Sequence, residues 1–182
     1  MIIVEGPDGA GKSTLVEELS HEFDLEVGER ATSDRNKLYT VTRQDTYTAL
    51  SHSVLGHGKP QIWDRLFFSE MVYAPVIGRD CEFTHEEKVF VNRVLRATGC
   101  PVILCMPPWA VVQANVKGTF QMEGVHQNLE AIYAAYRTVC GDLPSLSWFD
   151  YTGEQSDAGY VSRERISGIC DHYLDKRKVR SW

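Results

Sequence analysis

Eight consecutive residues, Gly6-Pro7-Asp8-Gly9-Ala10-Gly11-Lys12-Ser13, fit the spacing G-x-x-x-x-G-K-[ST]. Two linked phosphates carry dense negative charge, and a loop that binds them must turn several backbone N–H groups inward. Glycines permit this because no Cβ obstructs the turn or the approaching oxygens. The amino end of a following helix adds positive potential. In this pattern Lys12 reaches the β- and γ-phosphates and Ser13 offers its hydroxyl to Mg²⁺. The expected ATP-binding set is Gly6, Asp8, Gly9, Ala10, Gly11, Lys12, Ser13 and Thr14. A second pair, Asp64-Arg65, follows the short run Gln61-Ile62-Trp63. In open α/β sheets ligands bind beyond the carboxyl ends of the strands. An acid there can hold a Mg²⁺-bound water or a substrate hydroxyl, and an arginine can clamp a phosphate with two donors. The plainer reading of the pair is a solvated ion pair at a strand end.

The elements that must position these residues read as alternating strands and helices, which implies an α/β fold with a parallel sheet. Ile2 to Glu5 is the first strand, directly before the glycine loop. A helix starts near Lys12, with Leu15, Leu19 and Phe23 on its buried stripe. A short strand is expected around Leu25-Glu26-Val27. The polar stretch 28–42 yields no element. Asp45 is placed as the cap of a helix carrying Tyr47, Leu50 and Val54 and closed by Gly56. Gln61-Ile62-Trp63 is the third strand, and a helix from Phe67 to Ala74 follows, ended by Pro75. Thr84 and Glu87 form a capping box for a helix bearing Phe90, Val91, Val94 and Leu95 and stopping at Gly99. The continuous apolar run from Pro101 to Met106 suits a central strand covered on both faces. After Pro107-Pro108 come a short helix near Trp109 to Val116 and a polar stretch, Lys117 to Gly124. A helix with Val125, Leu129, Ile132, Tyr133, Tyr136 and Val139 on one stripe is next. Leu146 to Phe149 is a fifth strand, and a last helix holds Ile166, Ile169, Cys170, Tyr173 and Leu174.

The chain of 182 residues is expected to form one domain, 1–182. Its 25 acidic against 19 basic residues argue against a bulk nucleic-acid coat, though not against a local basic groove. No apolar run approaches the roughly 20 residues that span a bilayer, and no secretory signal is expected. The cysteines Cys81, Cys100, Cys105, Cys140 and Cys170 form no C-x-x-C pair and read as reduced thiols, so a cytoplasmic protein is expected. The histidines, His52 and His57 among them, match no metal spacing. The basic end Lys176 to Arg180 reads as cations complementing a helix C-terminus, or as a contact for a nucleic-acid acceptor.

The stretch Ile3-Val4-Glu5-Gly6-Pro7-Asp8-Gly9-Ala10-Gly11-Lys12-Ser13-Thr14 resembles the start of a thymidylate kinase. Asp64-Arg65, then Ser69-Glu70 and Tyr73, is similar to a second segment of that family, which includes phage-type members, and of the related deoxynucleoside kinases. The resemblance implies a P-loop NTPase fold: a five-stranded parallel sheet in the order 2-3-1-4-5, wrapped by helices, with a short lid at about 111–124. It implies transfer of the ATP γ-phosphoryl to a deoxynucleoside monophosphate, with dTMP or a related or modified pyrimidine nucleotide expected. On the matching positions, Asp8 contacts the acceptor, Arg65 steadies the acceptor phosphate and the transferred group, Asp64 lies near Mg²⁺, and Tyr73 lines the acceptor pocket. Lys12, Asp64, Arg65 and Lys117 form the expected catalytic set, and Ser13 and Asp64 the metal-binding pair.

The sequence departs from the family in its lid, where Val111 to Glu123 contains only Lys117 in place of several arginines. Lys117 is either a stabiliser of transferred charge or a solvated loop lysine. Arg35, Arg43 and Arg79 are candidates for the acceptor phosphate or base, as is Glu70 for the acceptor pocket. Phe67 and Phe68 either stack on a base or fill core. Tyr151-Thr152-Gly153 is expected near adenine. The partners expected are small nucleotides and, as relatives suggest, a second copy in a homodimer. A nucleoside or DNA acceptor, and a nucleotide-binding ATPase without transfer, remain alternatives.

Overall fold

The computed structural model describes residues 1–28, 43–55, 58–119, 124–139, 145–155 and 159–180, with residues 178–180 described by backbone alone. Along the chain lie β1 (Ile2–Glu5), α1 (Lys12–Glu22), β2 (Glu26–Val27), α2 (Arg43–Leu55), β3 (Gln61–Asp64), α3 (Phe67–Val76) and α4 (His85–Thr98). They are followed by β4 (Val102–Cys105), α5 (Trp109–Val116), α6 (Val125–Val139), β5 (Leu146–Phe149), β6 (Tyr160–Val161) and α7 (Arg163–Arg180). The strands form one parallel sheet in the order β2-β3-β1-β4-β5-β6.

The central strands β1 and β4 are apolar, Glu5 apart, because each of their faces meets a helical layer. Met1, Ile3, Val102 and Leu104 join one apolar layer with Phe67, Leu95, Ile132 and Tyr136. Ile2, Val4, Ile103 and Cys105 join the other with Leu15, Leu19, Ile166 and Cys170. The chain leaves β1 into α1 on the second face and leaves β3 into α3 on the first. The carboxyl ends of these paired strands therefore open a crevice where their connections diverge. Among the described residues no helix is long and apolar enough to cross a membrane.

The expected order 2-3-1-4-5 holds, with a sixth strand added at one edge. β6 is two residues long, too short to leave an alternating pattern in the sequence. It is fixed by tertiary contacts, the Tyr160 ring standing 5.8 Å from that of Trp148 and its hydroxyl donating to the Met106 carbonyl at 3.1 Å. α3 continues through Pro75 for one more residue, and the Ile77 N–H closes its last turn on the Tyr73 carbonyl at 2.9 Å. Asp45 lies buried within the first turn of α2 and does not cap it. Arg43 is already helical, and its backbone N–H donates to the Glu82 carboxylate at 3.0 Å. The buried stripe of α2 runs through Thr46, Ala49, Leu50 and Ser53, which leaves Val54 exposed. Phe90 is half exposed on α4, beside Tyr47. The capping box of Thr84 and Glu87 is present in both halves, and Gly99 ends α4 in the left-handed conformation. Gly56, His57, Arg35 and Cys140 lie outside the described residues.

Candidate active site

The glycine loop occupies the space between the end of β1 and the start of α1, and two of its glycines are required by contact. A Cβ on Gly6, which has φ 138°, would stand 2.4 Å from the Cys105 carbonyl oxygen of β4. Gly11 takes φ 79° as the residue before α1, and a Cβ there would stand 2.9 Å from the Tyr151 ring. The loop therefore passes tightly between β4 and the turn after β5.

Lys12 is buried in this loop, and its ammonium donates to the Pro7 carbonyl at 2.6 Å. Burial lowers its pKa to about 8, and Arg65 pushes the same way, while Asp64 and Asp8 oppose the shift. Ser13 donates to Asp64 Oδ2 at 2.8 Å, which joins the start of α1 to the end of β3. A hydroxyl and a carboxylate at this separation are two hard oxygen donors, the set that suits Mg²⁺ held partly by substrate phosphates. Ala10 is buried, and Thr14 lines the clefts on both sides of α1's first turn.

Asp8 forms the second half of the site. One of its oxygens is paired with the Arg65 guanidinium, and the other accepts from the Tyr73 hydroxyl at 2.9 Å. The Arg65 guanidinium also lies over the Tyr73 ring at 4.9 Å. Burial works against the Asp8 charge, but Arg65, then Lys12 and the Tyr73 hydroxyl, outweigh it and hold the carboxyl below its ordinary range. Arg65 itself is 6% exposed and takes φ 68°, rare for a residue with a Cβ. A cleft of about 260 Å³ runs from Gly9 and Gly11 past Lys12 and Ser13 to Asp64 and Arg65.

A larger cleft of about 690 Å³ adjoins it at Gly11 and Thr14, walled by Leu15, Phe149, Tyr151 and Arg163. Thr152 and Gly153 line it too, so the turn after β5 stands beside the glycine loop. Asn115 went unnoticed in the sequence because it belongs to no motif. Its amide donates to the Gly9 carbonyl at 2.8 Å and to the Tyr151 hydroxyl at 2.7 Å, tying α5 to both loops. Glu5 was read only as the end of a strand. Its carboxylate is fully buried and accepts from Leu66, Ser69 and Tyr136. Burial raises its pKa, and its hydrogen bonds oppose the rise.

Other expected residues lie apart from this cluster. Phe68 is 1% exposed and packs edge-on against Phe67 at 5.2 Å, so its ring belongs to the core and presents no face to a base. Glu70 is buried and paired with the Arg79 guanidinium, and it also accepts from the Glu82 N–H at 3.0 Å. Arg43 is tied to Glu87 at 3.1 Å and to the Glu82 carbonyl. The network spanning α2, α3 and α4 thus uses Arg43, Glu70 and Arg79 to bind one another's elements. Lys117 is exposed just beyond α5, outside the lining of either cleft. Residues 120–123 of the expected lid lie outside the described residues.

No family model matches the chain. Among solved structures, the YorR protein of Bacillus subtilis, in complex with phosphorylated GDP, superposes with a TM-score of 0.65 at 22% identity, over 94% of this chain and 97% of that one. The deoxyadenosine kinase of M. mycoides with bound dATP gives 0.54 at 15% identity, over 96% and 98%. The thymidylate kinase of Candida albicans gives 0.51 at 16% identity, over 97% and 91%. The chain has the P-loop kinase fold. At these identities the likeness is one of fold, and within the P-loop kinase fold it is this chain's own glycine loop, Asp64 and Asp8–Arg65–Tyr73 cluster that define its crevice.

Proposed function

We propose that the chain transfers the γ-phosphoryl group of ATP to a deoxynucleoside monophosphate, with dTMP or a related or modified pyrimidine nucleotide as acceptor. The observation that carries this reading is the Asp8–Arg65 pair, which shares one cleft with Lys12 and Ser13 and is backed by the buried Tyr73. A glycine loop and its lysine account for the donor. They do not account for Arg65, nearly buried at the end of β3, or for its contacts with Asp8 of the loop and Tyr73 of α3. Those groups offer a cation for an acceptor phosphate and polar atoms for its sugar.

In this reading the loop amides and Lys12 hold the donor phosphates, and Lys12 leaves the Pro7 carbonyl to do so. Ser13 and Asp64 would hold Mg²⁺, which when bound neutralises phosphate charge. Arg65 exchanges part of its contact with Asp8 for the acceptor phosphate, where two parallel N–H donors suit the oxygens. Asp8, relieved of that pairing, turns toward the acceptor. Catalysis is then positioning and charge compensation, with no covalent step on the protein. The exposed Lys117 adds charge only if residues 117–124 close over the donor.

The neighbours support nucleotide chemistry as a class, because solved relatives of the fold hold dATP or phosphorylated GDP. A nucleoside acceptor is the second reading, favoured by the deoxyadenosine kinase among them. A cytoplasmic homodimer belongs to the same proposal and is checked by light scattering. The deciding experiment follows labelled phosphate from ATP across the four deoxynucleoside monophosphates, the matching nucleosides and a short DNA strand. Transfer to a pyrimidine monophosphate and not to DNA is expected. ATP loss without a labelled acceptor would replace transfer by hydrolysis.

A further inference from the structure

Glu5 is the last residue of β1 and points into the same apolar layer as Met1 and Ile3. An acid in that position is costly unless donors surround it. All but one of the donors come from the start of α3. Oε1 accepts the Leu66 N–H at 2.8 Å and the Ser69 N–H at 3.3 Å. Oε2 accepts the Ser69 hydroxyl at 2.6 Å and the Tyr136 hydroxyl of α6 at 3.3 Å, and those two hydroxyls lie 2.8 Å apart.

A helix N-terminus leaves its first amides without internal partners, and the residue before the helix ordinarily supplies an oxygen. The residue before α3 is Leu66, whose side chain offers none. The carboxylate of Glu5 takes that place from another strand, and its negative charge suits the positive end of the helix. Immediately before Leu66 stands Arg65 at φ 68°, and its own N–H donates to the Val4 carbonyl at 2.8 Å. Two successive amides of the turn are thus pinned to the end of β1, one by the backbone of Val4 and one by the side chain of Glu5.

We infer that Glu5, backed by Ser69 and Tyr136, is the positioning residue that holds the β3–α3 turn and thereby sets where the Arg65 guanidinium meets the acceptor. The inference rests on the acceptor-side role proposed for Arg65. Glu5 acts through Arg65 and touches neither nucleotide.

The test is Glu5→Gln, which keeps the length and one carbonyl oxygen but replaces the charge and turns donors toward Ser69. Amide exchange at Leu66 and Ser69 should speed up while exchange in the glycine loop stays as in the parent. Acceptor kcat/KM should fall on the order of tenfold to a hundredfold, the scale of a misplaced catalytic group, with the KM for ATP nearly unchanged. In an Arg65→Ala background the same change should add less than about threefold, because the two residues act as one unit. Unaltered exchange at Leu66 and Ser69, or a loss that simply multiplies that of Arg65→Ala, overturns the inference. If Glu5→Gln does not fold, Ser69→Ala and Tyr136→Phe each remove one hydroxyl and should show smaller changes of the same kind. A parent protein that phosphorylates no acceptor defeats the functional reading, and the exchange measurement still decides whether Glu5 holds the turn.

Discussion

Two charged regions of this molecule use similar residues to opposite ends. At the crevice, Asp8, Lys12, Asp64 and Arg65 converge on one cleft, and in the function proposed above their contacts are exchanged for a ligand's. A few turns away, Arg43, Glu70, Arg79, Glu82 and Glu87 bind α2, α3 and α4 together, each cation taken by a carboxylate or carbonyl of a neighbouring element. An arginine beside an acid is therefore not a site by its composition. What separates the two regions is whether the pair opens onto a cleft shared with other unlike groups or closes a seam between helices.

The sharpest way to break this comparison is to remove a charge from each region and see which property falls. Lys12→Ala and Arg65→Ala should each lower transfer per folded molecule by at least about a hundredfold, the scale found for charge-stabilising groups, whatever stability Arg65→Ala loses by leaving Asp8 without its partner. Steady-state kinetics beside a melting curve checks both halves. An Arg65→Ala protein with parent kinetics would move Arg65 into the structural group.

Arg79→Ala should do the reverse. It leaves Glu70, with no exposed side-chain surface, as an uncompensated buried carboxylate. Such breaks are strongly destabilising, and because Arg79 keeps 28% exposure the expected loss is about 2–3 kcal/mol. Urea unfolding measures it, and turnover per folded molecule should stay within about twofold, as for other sites outside a catalytic cluster.

These contrasts mark what the sequence could express. The glycine loop is legible because its function depends on backbone conformation, and backbone conformation is written locally in Gly6, Gly11 and the strand and helix around them. The β1 and β4 runs are legible because burial on both faces demands unbroken apolar residues. Asp64-Arg65 was found through its place at a strand end. Glu5 was passed over because its meaning lies in amides sixty residues away, and Asn115 because a lone amide has no pattern. Arg43, Glu70 and Arg79 looked available for the same reason: their partners are set by how three helices pack. Phe68 reads in the sequence as either a stacking ring or core, and the fold turns it inward. β6 is too short for any periodicity.

Lys12 supplies a smaller effect that tests the cleft itself. With its pKa near 8, the lysine is partly deprotonated in the free protein at pH 8.5. A bound triphosphate favours the charged form, so binding should take up a fraction of a proton, rising as pH moves from about 7 to 9. Calorimetry in buffers of different ionisation heat reads this directly. The stability linkage has a matching sign. The unfolded lysine binds its proton up to about 10.4 while the folded one releases it near 8, so Lys12 makes the free protein more stable as pH rises between those values. Absence of proton uptake would mean that the ammonium is already fully charged before the nucleotide arrives.

The smallest effect is expected where the sequence offered an acceptor contact and the fold offers a clasp. Arg43 is 49% exposed, and its bond to Glu87 is largely solvated, so Arg43→Ala should cost below about 1 kcal/mol. It should also leave the acceptor KM within about twofold, the expectation for a surface side chain outside the reacting cluster. The measurement has unusual leverage because Arg43 stands directly after residues 29–42, where an acceptor contact could still arise from its guanidinium turning away from Glu87. A rise in acceptor KM of tenfold or more, with stability unchanged, would transfer Arg43 from the seam to the cleft. It would show that this ion pair, as proposed for that of Asp8 and Arg65, is held in reserve for a phosphate.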